Sequence, residues 1–170
     1  GMEITLKALS STKLPSEMKP LLIGCKQNLE MTYLRLKSKG IIEIANPKSF
    51  EIENIPLAKK INPGQPTKET GEASFQWLSR ATQLVLQGQA RALVTAPIAK
   101  SAWHKAGHQY PGQTELLAKI AGVKNPSMLF TAISPQTGWR LNTMLATTHI
   151  PLSDVPRTLT PKLILAKLEA

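Results

Sequence analysis

Leu21-Leu22-Ile23-Gly24-Cys25, then Lys26 through Gly40, then Ile41-Ile42-Glu43-Ile44, is the stretch that decides the fold class. The first run is short, apolar and bounded by Pro20 and Lys26, as a buried strand should be. Leu29, Tyr33, Leu34 and Leu36 then fall at helical spacing, with Gly40 placed to end the helix. Ile41 to Ile44 reads as a second strand. Strand, helix, strand in that order predicts an α/β chain with a parallel or mostly parallel sheet. Upstream, Ile4, Leu6, Ala8 and Leu9 predict a helix from Glu3 to Ser11, closed off by Pro15 and Pro20. Downstream, Asn46 to Gln65 reads as a proline-punctuated connection with a turn at Asn62-Pro63-Gly64. The strongest helix follows, capped by Thr70 or Gly71 and ended by Gly88, with Phe75, Leu78, Thr82 and Val85 on one face. Ala90 to Thr95 is a further predicted strand, broken at Ala96-Pro97. Short helices are expected over Lys100–Lys105 and Thr114–Ala121, stopped by Gly107 and Gly122. Met128–Ile133 and Trp139–Thr147 form a predicted hairpin around Ser134-Pro135-Gln136-Thr137-Gly138. Pro161 opens a last helix, with Thr160 as its cap.

A chain of 170 residues, 42% hydrophobic and 19% charged, suits one folded α/β region rather than a disordered segment. No apolar run reaches the length of a membrane span, and no signal peptide is read at the start. Gly1-Met2 reads as a tag remnant before a start methionine. The single Cys25 excludes an internal disulfide and fits a reducing compartment, so a cytoplasmic setting is expected. Net charge is +10, and it is uneven. Residues 74–170 hold 10 basic side chains against only Glu115, Asp154 and Glu169, which suits anionic ligands such as phosphates. The basic residues are scattered, Lys59-Lys60 being the only adjacent pair, and no aromatics interleave with them. That argues against a nucleic-acid interface.

Asn142-Thr143-Met144-Leu145-Ala146-Thr147-Thr148-His149-Ile150-Pro151-Leu152 begins apolar and ends in two hydroxyls and an imidazole. A strand through Met144-Leu145-Ala146 would put His149 at its C-terminal end, where α/β folds bind ligands. Imidazole is the commonest protein ligand for a divalent metal. A histidine hydrogen-bonded at a strand end is the plainer alternative.

Four segments together resemble the 4-hydroxythreonine-4-phosphate dehydrogenase family of the pyridoxal phosphate (vitamin B6) pathway. They are Gly71-Glu72-Ala73 through Gly88, Ala92-Leu93-Val94-Thr95-Ala96-Pro97-Ile98-Ala99-Lys100, Gly112-Gln113-Thr114-Glu115, and Ala146 through Leu152. Order and spacing match the first half of the family, over nearly the whole chain. The resemblance implies a fold like the isocitrate and isopropylmalate dehydrogenases, a homodimer, and a phosphorylated small-molecule substrate. It also implies NAD as hydride acceptor and a divalent metal (zinc, magnesium or cobalt) held by three histidines. His149 matches the first of those ligands. Gln113-Thr114 matches a substrate-binding His-Thr pair, with glutamine in place of a residue that could carry positive charge. Lys100 matches a family lysine and is the catalytic candidate, expected to face the cleft, with an exposed helix lysine as the alternative. His104 and His108 match no family ligand and are expected to be surface or packing residues.

The departures are as informative. Of the family's opening Gly-Asp-Pro-Ala-Gly-Ile-Gly-Pro-Glu type loop, only the glutamate is matched, by Glu3. The family's second half, with two more metal histidines, the phosphate-holding basic residues and most NAD contacts, has no counterpart. No G-x-G-x-x-G or Walker loop stands in for it. The expectation is therefore a truncated homologue or one piece of a split enzyme, inactive alone, with uncovered sheet edges that favour dimerisation or aggregation. The alternative is a non-catalytic remnant that binds a partner subunit or an anion.

Overall fold

The computed structural model describes residues 1–10, 14–15, 17–57 and 61–169, so the Lys59-Lys60 pair and the predicted helix end at Ser11 lie outside the described residues. The chain divides into two compact units, Gly1–Leu117 and Ala118–Ala170. Together they give a mixed α/β chain.

In the first unit, helix α1 spans Met2–Leu9, strand β1 Leu21–Gly24, helix α2 Lys26–Ser38 and strand β2 Glu51–Asn54. The two strands pair in parallel, Leu21 opposite Glu51 through Gly24 opposite Asn54. Parallel pairing joined by a crossover helix is thus present, but its second strand is not Ile41–Ile44. That correction has a local cause. Gly40, at φ 76°, closes α2 in a Schellman turn: Gly40 N–H donates to Lys37 O at 2.9 Å and Ile41 N–H to Leu36 O at 3.2 Å. Ile44 N–H then bonds Ile42 O, and Ala45 N–H bonds Leu6 O in α1 at 2.9 Å. With its backbone consumed by the cap and by α1, the segment buries Ile44 and Ala45 and leaves Ile42 89% exposed.

The true second strand lies inside the stretch read as irregular connection. Phe50 and Ile52 alternate there with Glu51 and Glu53, the period of a half-buried strand. Asn54 Oδ1 also accepts from Lys26 N–H at 2.9 Å, so β2 caps the helix that β1 feeds.

Helix α3, Lys68–Leu86, starts one turn earlier than expected. Thr67 is its cap, with Thr70 returning the hydrogen bond to Thr67 N–H in a capping box. It lies on β1 and β2: Trp77 Nε1 donates to Ile55 O at 2.9 Å, and Arg80 pairs with Glu53. Helix α4, Lys100–Lys105, crosses α3 closely enough that a Cβ on Gly71 would sit 1.9 Å from Ala102 O. Trp103, with no exposed surface, fills the space beside that crossing, together with Leu6 and Leu116 the most deeply buried of the large core side chains. Helix α5 spans Gln113–Ala121.

Residues 92–99 form no strand, contrary to expectation for Ala90–Thr95; no neighbouring strand pairs with them among the described residues, and Val94 is 94% exposed. In the second unit, β3 (Leu129–Ile133) and β4 (Arg140–Met144) make the expected antiparallel hairpin, with Ser134 N–H donating to Trp139 O at 2.8 Å. A short helix, α6 (Val155–Thr158), precedes α7 (Pro161–Leu168), whose cap Thr160 accepts from Leu163 N–H at 3.2 Å. No helix among the described residues is long and apolar enough to cross a membrane.

Candidate functional site

Three sequence-singled residues of the first unit lie at one place. The chain leaves α3, runs through Ala92–Ala99, and turns into α4, whose first residue is Lys100. The close α3–α4 crossing at Gly71 fixes where α4 begins. The loop after α4 returns by way of Gly107, at φ 93°, where His108 N–H bonds Trp103 O at 2.9 Å. His108 is held twice more. Its ring stacks on Phe75 with centroids 3.6 Å apart, and its Nε2 lies 2.8 Å from Glu72 Oε2. The expectation that His108 is a packing residue agrees with this geometry. That carboxylate can only accept, so Nε2 carries the proton. The hydrogen bonds from His108 and then Gln76 hold the Glu72 carboxyl below its ordinary pKa.

The returning loop brings α5 back to the turn at Ala96-Pro97. Gln113 Nε2 donates to Ala96 O at 3.1 Å, which fixes the orientation of its amide. Its Oε1 is buried and has no partner among the described residues. Lys100 and Glu115 both reach toward Gly112. The position of a Cβ added there is 3.2 Å from Glu115 Oε2 and 3.9 Å from Lys100 Nζ. An exposed lysine, a glutamine carbonyl lacking a donor, and a carboxylate thus converge on the start of a helix, where backbone N–H groups also point outward. Thr114 is the second residue of α5, which starts one residue earlier than expected. Its hydroxyl and N–H belong to that first turn. Glu115 lay within a quoted motif but received no role from sequence; it stands beside Lys100, so it tempers the positive charge there.

His149 belongs to the second unit, and its setting differs from expectation. β4 ends at Met144, so His149 lies five residues beyond, in an exposed loop rather than at the end of a parallel strand. It is the one non-glycine residue with positive φ, 57°, among the described residues. Such a backbone is uncommon for a histidine and marks a constrained position. No group of three or more His, Cys, Asp or Glu residues among the described residues could hold a metal. A metal site needs about three protein ligands. The residues present do not make one, and His149 alone could be no more than a single ligand.

Glu3, expected to correspond to the glutamate of the family's opening loop, sits in the first turn of α1 and pairs with Lys7 at 3.0 Å and Arg35 at 3.6 Å. The Lys7 hydrogen bond and charge lower its carboxyl pKa. Its partners are structural.

Comparison with known proteins places this geometry. A 4-hydroxythreonine-4-phosphate dehydrogenase of Synechococcus sp. (strain RCC307) is 56% identical over 162 residues, 95% of this chain and 48% of its own length. The protein of the same name from Synechocystis sp. (strain ATCC 27184 / PCC 6803 / Kazusa) is 46% identical over 99% of this chain and 49% of its own. The crystal structure of a 4-hydroxythreonine-4-phosphate dehydrogenase from Burkholderia phymatum matches with a TM-score of 0.80 at 28% identity, over 99% of this chain and 52% of that one. The chain spans about half the length of the curated relatives it matches. The family model described as pyridoxal phosphate biosynthetic protein PdxA matches residues 16–170. With the relatives' identity and the shared mixed α/β fold, that match shows that the chain belongs to the PdxA family.

Proposed function

We propose that these 170 residues are the N-terminal, substrate-holding part of a dehydrogenase of the isocitrate and isopropylmalate dehydrogenase-like fold. The reaction is the NAD-dependent oxidation and decarboxylation of 4-phosphooxy-threonine in vitamin B6 biosynthesis, carried out in the cytoplasm by a homodimer. The observation that carries this reading is the cluster of Lys100, Gln113 and Thr114 at the start of α5, in a chain whose relatives are named 4-hydroxythreonine-4-phosphate dehydrogenases. Lys100 supplies positive charge to an anionic group of the substrate. Thr114 offers a hydroxyl and a helix N-terminal N–H to the same group. Gln113 Oε1 accepts from a hydroxyl or ammonium. His149 would supply one donor toward a metal whose remaining ligands come from outside these residues. When bound, such a metal would stabilise negative charge on the substrate oxygen.

The test is calorimetric titration of the chain with 4-phosphooxy-L-threonine, repeated with Lys100→Ala. Binding weakened about tenfold or more by the substitution supports the assignment, since a charge-assisted contact is lost. Equal binding by both proteins refutes Lys100 as a contact. Mixing with the complementary half of the Synechococcus relative should then restore NAD reduction. A second reading, an anion-binding remnant without turnover, is favoured by one observation: residues 73–114 contain no acidic side chain. Phosphate binding with no activity in the mixture would select it.

A further inference from the structure

We infer that a cleft between α2 and β2 is a binding site for a small aryl phosphate, a single apolar ring carrying a dianionic head. The cleft has a volume of about 330 Å³ and is lined by Lys26, Glu30, Pro47, Lys48, Phe50 and Ile52. Small-molecule sites begin at about 300 Å³, so this one has room for a substituted ring rather than a dinucleotide.

Three elements hold its walls. Phe50 and Ile52 stand two residues apart at the start of β2, so their side chains share one face of the strand. Lys26 and Glu30 are one turn apart at the beginning of α2. Pro47 and Lys48 belong to a single 3-10 turn, Pro47–Ser49, in which Lys48 N–H donates to Asn46 Oδ1 at 3.1 Å and Phe50 N–H to Pro47 O at 3.3 Å. The bond from Lys26 N–H to Asn54 Oδ1 ties the helix to the strand. A lining anchored in this way loses little freedom on binding.

The lining divides by chemistry. Pro47 is buried, while Phe50 and Ile52 are half-buried and still reached by solvent, so the floor is apolar and open. Phe50 stacks on no other ring among the described residues. Lys26 and Lys48 are exposed, and neither forms an ion pair among the described residues, Lys26 with Glu30 included. A lysine four residues before a glutamate is the weaker helical order for such a pair. Two cations against one carboxylate leave the cleft net positive, which selects an anion, and two ammonium groups suit the two charges of a phosphate monoester. The floor favours a ring-bearing phosphate over the bare ion. Glu30 disfavours longer polyanions. The cleft shares no residue with the cluster at α5, so the inference stands whether or not the substrate reading above holds.

The experiment titrates the full chain with phenyl phosphate and, separately, with inorganic phosphate, followed by amide magnetic resonance shifts. Phenyl phosphate should shift the amides of residues 26–30 and 48–52 saturably, with an affinity at least about tenfold above that of inorganic phosphate at the same residues. Lys48→Ala, a change at an exposed position, should weaken that binding about threefold or more with the fold intact. Phe50→Leu keeps an apolar floor but removes the ring, and should reduce the advantage of phenyl phosphate over inorganic phosphate. Lys100→Ala should leave the shifts at these residues unaltered, which separates the cleft from the α5 cluster. Shifts confined to α5, equal affinities for the two probes at residues 26–30 and 48–52, or a response unchanged by Lys48→Ala would each overturn the proposal.

Discussion

Replacing Gly71 by alanine sets two effects of opposite sign against each other. Gly71 is the fourth residue of the 19-residue helix α3, and in a helix interior alanine is favoured over glycine by about 1 kcal/mol. Helix propensity alone therefore predicts a more stable protein. The structure predicts the reverse. The new Cβ would lie 1.9 Å from Ala102 O and 2.4 Å from Ala102 C, backbone atoms that no rotamer change can move. To restore an ordinary contact, α3 and α4 must separate by more than 1 Å, roughly the shortfall against van der Waals distance. Ala102 and Trp103 are 3% and 0% exposed, so the separation opens the core beside the crossing. Overpacking of this kind costs about 1–3 kcal/mol, and a rigid obstacle places it at the upper end. After the propensity gain, the net loss is about 2 kcal/mol, or roughly 4–8 °C in Tm for a chain of this size. Thermal unfolding followed by far-ultraviolet circular dichroism measures it. An unchanged or raised Tm would refute the close crossing. Because α4 begins at Lys100, the proposed function also predicts that the same variant weakens binding of 4-phosphooxy-L-threonine, although Gly71 lies outside the proposed contacts.

Trp103→Phe should cost about 2 kcal/mol or more, because it removes buried volume and the 2.9 Å bond from Nε1 to Ser74 Oγ; denaturant titration gives the value, and a change below about 0.5 kcal/mol would contradict the burial. The Glu72–His108 contact predicts a pH dependence. The Glu72 carboxyl is lowered in the folded state, so its contribution is complete above the unfolded carboxylate pKa and disappears as pH falls through the folded one. At 43% side-chain exposure the contribution is screened to about 0.5 kcal/mol, so Glu72→Gln should be slightly less stable than the parent at neutral pH and converge with it in acid; parallel curves would reject the linkage. His149→Gly should raise stability by about 0.5–1 kcal/mol, since glycine adopts φ 57° without steric cost; a lower Tm would mean that the imidazole makes a stabilising contact.

What sequence made legible follows the range of the interaction involved. Helices were read well because their signals are local: Gly40 and Gly107 stop α2 and α4, and Thr160-Pro161 starts α7, through contacts a few residues apart. Strands were read less well because a strand is defined by its neighbour. Ala92–Thr95 has a strand's composition but no ladder among the described residues. Ile41–Ile44 has it too, yet was recruited by a helix cap and by α1. β2 was hidden by its surroundings, since Pro47 and Pro56 framed an alternation that was real. The site divides in the same way. Gln113, Thr114 and Lys100 were found as motif letters, but the bond that orients Gln113 onto Ala96 spans 17 residues and has no local signature.

The histidines carry the argument one step further. The chain has three. His108 is committed to Glu72 and Phe75 at packing distance, and releasing it would unfasten the loop that delivers α5. His104 sits exposed on α4, apart from any group of possible ligands among the described residues. His149, like His104, has no competing structural contact among the described residues, and its constrained backbone holds the ring on a loop rather than in the core. Metal-dependent chemistry by this region therefore needs at least two donors from elsewhere, whichever metal is supplied. The anion-binding cluster proposed at α5 would need none, because Lys100, Thr114 and the helix start are already in one unit. Under the proposed function, substrate capture and metal chemistry are thus separable requirements, and ligand affinity without turnover is the expected outcome when these residues are assayed on their own.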